Sequence, residues 1–131
     1  EAIRLDPNND GAYNGIGNIL KLEKRYEEAI KYYDDAIRID PNNAIYYRNK
    51  GNALSHSGRR DEAIECYNEA IRLDPNHNDA YNGIGNIFYN DKRYEEAVNY
   101  YNDAIRINPN CAIYYRNKGS ALSNLGRRDE A

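Results

Sequence analysis

All four prolines of the chain stand at Pro7, Pro41, Pro75 and Pro109, each 34 residues beyond the last. The text around them recurs as AIRLDPN, AIRIDPN, AIRLDPN and AIRINPN. A fixed period of this length marks a solenoid or array, in which each unit buries its apolar face only against its neighbours. A second period of 68 residues lies over the first, carried by AYNGIGNI, KRYEEA, AIYYRNKG and GRRDEA. The most recently duplicated unit is therefore a pair, an odd repeat followed by an even one.

Each repeat reads as two helices. In residues 26–39 the apolar or small residues are Tyr26, Ala29, Ile30, Tyr33, Ala36 and Ile37, a spacing that places them on one helical stripe. Glu27, Glu28, Lys31, Asp34, Asp35 and Arg38 take the opposite face, and Asp34 precedes Arg38 by one helical turn, the favourable order for an ion pair. The run Asp40-Pro41-Asn42-Asn43 stops this helix, because proline removes a donor and restricts the residue before it. Tyr13, Ile16, Ile19 and Leu20 form the stripe of the preceding helix. The turn between the two helices is expected at Gly58 and Gly126 in even repeats, and at Glu23-Lys24-Arg25 or Asp91-Lys92-Arg93 in odd ones.

The stretch YNGIGN, at 13–18 and again at 81–86, raises the question of a phosphate-cradling loop. Such a loop follows a strand, and none is expected here. Gly17, Gly51, Gly85 and Gly119 share one repeat position. A glycine inside a helix costs roughly 1 kcal/mol relative to alanine, so close packing of two helices is the expected compensation.

Composition narrows the function classes. The chain of 131 residues is one domain or part of one, 40% hydrophobic and 30% charged, with ordered rather than scattered apolar residues. A net charge of −3 gives no reason to expect nucleic acid, and Arg59-Arg60 and Arg127-Arg128 are too sparse for its footprint. Apolar runs are short, so no membrane span or signal peptide is expected. Cys66 and Cys111 show no metal or redox spacing, which fits a reducing, intracellular and cytoplasmic setting. No nucleophile–base arrangement is visible, so no enzyme activity, no cofactor and no metal site are expected. His56 and His77 lack companion ligands. Arg4, Arg38, Arg72 and Arg106 recur near the repeat ends and read as surface partners of neighbouring acids.

These residues together resemble the tetratricopeptide repeat, a 34-residue helix–turn–helix unit. Tyr13, Ile16-Gly17, Leu20, Ala29, Tyr33, Ala36 and Pro41 fill the positions of the family pattern, as do Tyr47, Gly51, Leu54, Ala63, Tyr67, Ala70 and Pro75 in the next repeat. Tyr81, Ile84-Gly85, Phe88, Ala97, Tyr101, Ala104 and Pro109 do so in the third. Tyrosine replaces the usual tryptophan at the first aromatic position, and Lys50 and Lys118 replace a large apolar residue, their ammoniums expected in water. The resemblance implies an all-α fold, a right-handed α-solenoid of antiparallel helix pairs. Residues 1–9 would end a preceding repeat, 10–43, 44–77 and 78–111 would be complete repeats, and 112–131 a partial fourth. Tyr13, Tyr47, Tyr81 and Tyr115 form one expected core column and Tyr33, Tyr67 and Tyr101 another, while Tyr32, Tyr46, Tyr89, Tyr100 and Tyr114 are expected between adjacent repeats.

The resemblance also implies a protein–protein interaction scaffold whose first helices line a concave groove and bind an extended peptide. The family's ligand positions fall here on Asn14, Arg48, Asn82 and Arg116, on Asn49 and Asn117, on Asn18, Asn52, Asn86 and Ser120, and on Tyr89. A side-chain amide pairs with peptide C=O and N–H alike, and an arginine fork suits a carboxylate. The family's full carboxylate clamp is not expected, since Asp79 and Gly83 stand where it wants basic residues. The alternatives are a self-stacking structural solenoid and the substrate-recruiting arm of a larger enzyme. No polar cap is evident at either end, so the sequence reads as an excerpt of a longer array whose copies stack head to tail through a heterologous contact.

Overall fold

The computed structural model describes residues 9–130; the readings placed on Ile3, Arg4 and Leu5, and on the end of a preceding repeat, lie outside the described residues. Among the described residues there are seven α-helices and no strand: α1 (Asp10–Leu22), α2 (Tyr26–Ile39), α3 (Ala44–His56), α4 (Arg60–Leu73), α5 (Asn78–Asn90), α6 (Tyr94–Ile107) and α7 (Ala112–Glu130). The chain divides into two compact units, Glu1–Leu73 and Asp74–Ala131. In the first, α1 packs on α2, α2 on α3 and α3 on α4, while α1 also touches α3. In the second, α5 packs on α6 and α6 on α7, while α5 touches α7. The first unit is thus two antiparallel helix pairs, and the second is one pair with α7 packed on it, the packing of an α-solenoid.

The helix pairs are closed by one turn geometry. Lys24, Gly58 and Lys92 occupy the same repeat position and all have positive φ, at 64°, 88° and 63°. The residue after each returns its N–H to a carbonyl of the helix's last turn: Arg25 to Leu20 at 2.9 Å, Arg59 to Leu54 at 2.9 Å and Arg93 to Phe88 at 2.8 Å. That is the Schellman bond, which satisfies a carbonyl the helix end leaves open. Gly126 does not supply the expected turn, because α7 runs unbroken to Glu130.

The seam between paired helices explains the glycines. Ala29, Tyr33 and Ala36 of α2 are buried, as are Ala63, Tyr67 and Ala70 of α4 and Ala97, Tyr101 and Ala104 of α6. Each tyrosine ring lies over the glycine of the partner helix. A β-carbon at Gly17 would stand 2.6 Å from Tyr33 Cε1, one at Gly51 3.0 Å from Tyr67 Cδ1 and one at Gly85 2.7 Å from Tyr101 Cε1. Gly119, whose partner ring is missing, would meet nothing within 4 Å.

Several sequence expectations are corrected. Tyr115 does not join a core column: it is 49% exposed. Ile19 leaves the α1 stripe and is 58% exposed, because the seam uses the Gly17 and Leu20 side of that helix. Asp34 does not pair with Arg38. It reaches across to Lys50 of α3 at 2.7 Å, and Arg38 turns to Asp35 at 3.8 Å. Lys50 is half-buried, so its ammonium binds a carboxylate rather than resting in water. Lys118 has Asn102 where that carboxylate would be.

The two glycine environments give opposite expected outcomes. Gly85→Ala should destabilise by about 1–3 kcal/mol, since overpacking the Tyr101 ring outweighs the gain in helix propensity. Gly119→Ala should stabilise by up to about 1 kcal/mol. Urea unfolding of both variants checks this, and two changes of the same sign would refute the ring-over-glycine account.

Candidate functional site

The tyrosine that covers each glycine also orients the next residue of the first helix. Tyr33 donates its hydroxyl to Asn18 Oδ1 at 2.6 Å, Tyr101 to Asn86 Oδ1 at 2.6 Å, and Tyr67 to Asn52 Oδ1. The amide column is therefore held by its carbonyl oxygens, and what it presents onward is the Nδ2 donor. One lone pair of each amide oxygen is thereby taken, which leaves the second lone pair beside the Nδ2 hydrogens.

A second set of amides pairs between adjacent repeats. Asn49 Nδ2 donates to Asn14 Oδ1 at 2.9 Å, and Asn117 Nδ2 donates to Asn82 Oδ1 at 3.0 Å. Asn49 is only 4% exposed, so it positions its neighbours rather than meeting a ligand. Arg48 donates its Nε to Asn49 Oδ1 at 3.2 Å, which ties the guanidinium to the same relay. Tyr46 and Tyr114, placed between repeats as expected, donate to carboxylates of the preceding odd repeat: Tyr46 to Asp10 at 2.5 Å and Tyr114 to Asp79 at 2.6 Å.

Sequence reasoning missed Lys21. It lies half-buried on α1, and burial first, then the Arg48 charge, lowers its pKa. Two cations from α1 and α3 thus share one face of the first unit with the donors of Asn18 and Asn52. The signal was present, since Lys21 stands at one of the family's ligand positions. His56, at another, is stacked on Tyr26 with ring centroids 5.3 Å apart.

The corresponding face of the second unit differs. Tyr89 stands where Lys21 does and lies edge-on to Tyr94 at 5.4 Å. A recess of about 430 Å³ opens there, lined by Tyr89, Arg116, Ser120, Ser123, Asn124 and Arg127. Asn124 donates to the Tyr89 hydroxyl at 3.1 Å and to the Ser120 carbonyl at 2.9 Å. Ser123, Asn124 and Arg127 were also missed; with Arg116 and Ser120, the first and last share a stripe at helical spacing that ran past the expected turn.

Other titratable groups serve the frame. Cys66 is a free, half-buried thiol whose pKa burial pushes up to about 11, so it is a poor nucleophile. Arg25, Arg59 and Arg93 bracket the turns on Glu28 at 2.6 Å, Glu62 at 2.7 Å and Glu96. Arg59 also reaches Glu27 of the preceding repeat at 2.8 Å. No helix among the described residues is long and apolar enough to cross a membrane.

Two family models, both described as tetratricopeptide repeat, match residues 10–76 in one case and 48–112 and 93–131 in the other. The chain belongs to the tetratricopeptide repeat family. No curated protein matches it. Among solved structures, the Sgt2 tetratricopeptide domain from Aspergillus fumigatus is 25% identical, with a TM-score of 0.87 over 93% of this chain and 82% of that one. MamA is 26% identical, with a TM-score of 0.81 over 95% of this chain and 68% of that one. The first tetratricopeptide domain of Spaghetti (RPAP3), bound to the HSP90 peptide SRMEEVD, shares the fold at 22% identity and a TM-score of 0.84 over 95% of this chain and 99% of that one.

The buried hydroxyls predict an alkaline limit. Burial pushes Tyr33 up to about 12, and burial together with the Asp10 carboxylate does the same to Tyr46. A raised folded pKa contributes stability that is whole below the ordinary tyrosine value near 10 and is lost as pH climbs to about 12. Unfolding free energy should therefore fall across that window. Tyr33→Phe should begin roughly 1 kcal/mol lower, from the lost bond to Asn18, and fall less steeply. Denaturant titrations at stepped pH check this, and parallel curves for the two proteins would refute it.

Proposed function

We propose that the chain is a protein–protein interaction scaffold that binds an extended acidic peptide along the first-helix face of its repeats. The carrying observation is the set of half-buried polar side chains on α1 and α3: Asn18 and Asn52, oriented by Tyr33 and Tyr67, with the cations Lys21 and Arg48 on the same two helices. Burial first, then the Arg48 charge, disfavours the Lys21 ammonium, and a carboxylate arriving beside it would favour it. The neighbouring Nδ2 groups of Asn18 and Asn52, fixed by Tyr33 and Tyr67, donate to peptide carbonyls without reading side chains. In the second unit Asn82, Asn86, Arg116, Asn117, Ser120 and Tyr89 form the corresponding strip. Each amide bond contributes about 1 kcal/mol net, so binding requires several of them together. The Spaghetti domain, which shares this fold, is bound to the acidic HSP90 peptide SRMEEVD; at that identity it lends no residue roles.

The test is fluorescence anisotropy with an extended peptide library rich in Asp and Glu. Lys21→Ala and Arg48→Ala should each weaken binding by about ten- to a hundredfold, the range for hydrogen bonds to charged groups. The wild-type affinity should fall as salt rises. Affinities that ignore both the substitutions and the salt would remove the proposal.

A second reading, self-stacking, is favoured by Ile113, Tyr115 and Leu122, which α7 leaves about half exposed. A second copy seated on that face makes a heterologous, non-closing contact. Light scattering that rises with concentration supports it, and a constant monomer mass removes it.

A further inference from the structure

We infer that Tyr33, Tyr67 and Tyr101 are positioning residues for the bound segment: each holds the asparagine of its repeat so that the segment is read through its main-chain carbonyls. This rests on the peptide-binding reading and specifies which peptide atoms the amide column takes. The three tyrosines are core residues, 0%, 2% and 1% exposed, too buried to meet a ligand themselves. Their partners Asn18, Asn52 and Asn86 are half-buried on α1, α3 and α5. The two members of each pair stand fifteen residues apart, and the hydroxyl donates to Oδ1 in all three.

Packing alone does not account for these pairs. The ring over the glycine fills the seam, and phenylalanine has the same ring. The hydroxyl is a polar atom carried into that seam, and a buried hydroxyl is costly unless it is bonded. A phenylalanine, with an apolar residue in place of the asparagine, would close the same seam without that cost. Yet tyrosine and asparagine occur together in odd and even repeats alike. Elsewhere on the first-helix face the residues change, with Lys21 becoming Tyr89 and His56 becoming Asn124 in the other half. What the pair adds is a fixed orientation at the accessible end of the asparagine.

That orientation decides the chemistry. An asparagine amide has an acceptor end and a donor end. The acceptor end is turned to a buried hydroxyl, so Oδ1 lies on the inner side and the Nδ2 hydrogens face outward. Burial pushes the Tyr33 phenol up to about 12 and raises that of Tyr101 as well, so both hydroxyls keep the hydrogen they donate throughout the neutral range. A main-chain carbonyl is the acceptor that every residue of a peptide offers, proline included. A donor held in place before binding loses less freedom than a swinging amide. The column therefore accepts many sequences, and the preference for acids comes from Lys21 and Arg48 rather than from the amides.

The experiment is fluorescence anisotropy of the whole chain with the tightest peptide of the Asp- and Glu-rich library and with its fully N-methylated form, which keeps every carbonyl and has no main-chain N–H. Tyr33→Phe should weaken binding of the parent peptide by about fivefold, the size of one net hydrogen bond, and Asn18→Ala by about as much. The double variant should bind no more weakly than Asn18→Ala alone, because the tyrosine acts through the asparagine. Tyr46→Phe, which loses a buried hydroxyl bond to Asp10 instead, should keep the wild-type affinity. The Asn18→Ala penalty should be the same for the N-methylated peptide. Circular dichroism confirms that each variant is folded. An unchanged affinity in Tyr33→Phe, losses that add in the double variant, or an equal loss in Tyr46→Phe would each overturn the inference while peptide binding stands. So would an N-methylated peptide that fails to bind or that is indifferent to Asn18→Ala. A wild type that binds no peptide of the library removes the peptide-binding reading itself, and this inference with it.

Discussion

The structure depends on one contact made three times, a tyrosine ring laid on a glycine. Helix pairing this close requires that one partner have no side chain at the crossing, and the rings of Tyr33, Tyr67 and Tyr101 fill the space that the missing β-carbons leave. The ring brings burial, and its hydroxyl bonds the asparagine one residue beyond the glycine. Packing and polar satisfaction are thus solved by one side chain, which offsets the roughly 1 kcal/mol that a mid-helix glycine costs. A β-carbon at Gly119, by contrast, would meet nothing within 4 Å.

Charge is distributed by the same geometry. Arginines at the turns are matched with acids one turn later in the second helix, so they close the hairpin and have little long-range field. The cations of the first helices are treated differently. Lys21 is half-buried on α1, its pKa lowered by burial first and then by the Arg48 charge, and Arg116 lines a recess on α7 together with Tyr89 of α5. A chain with net charge −3 therefore presents local positive character on the faces formed by α1 with α3 and by α5 with α7. That contrast is what makes an acidic partner physically reasonable.

Most of the frame was legible in the sequence because a helix repeats by period. The proline spacing fixed the unit, the apolar stripe fixed the seam, and the shared glycine position pointed to close approach. What periodicity cannot rank is competition within a face. Asp34 had a good intrahelical partner in Arg38, yet Lys50 of the next helix took it at 2.7 Å, because a half-buried ammonium gains more from a carboxylate than an exposed guanidinium does. The amides were legible as a column but their orientation was not, since it is set by tyrosine hydroxyls fifteen residues away. Asn14 and Asn49 read as two rungs and are one bonded pair. Gly126 read as a turn because Gly58 is one, but a glycine permits a positive φ without imposing it, and α7 is helical through it.

The two halves can be compared as an internal experiment. Residues 10–63 and 78–131 differ at 14 of 54 aligned positions. Some differences compensate for each other. Asp10-Gly11 becomes Asn78-Asp79, and the carboxylate that receives the next repeat's tyrosine moves one residue while the bond survives: Tyr46 to Asp10 at 2.5 Å, Tyr114 to Asp79 at 2.6 Å. Others do not compensate. Lys21 becomes Tyr89, Asn52 becomes Ser120 and His56 becomes Asn124, all on the first-helix face. Tyr89 and Asn124 bond each other at 3.1 Å, whereas Lys21 and His56 have different neighbours, Arg48 and Tyr26. The frame thus repairs its own changes while its first-helix face takes new residues. Gly17, Tyr33, Ala29 and Ala36 of the first seam are matched by the identical Gly85, Tyr101, Ala97 and Ala104 of the other half, so the contact that sets the helix pairing stays fixed while the face is free to vary.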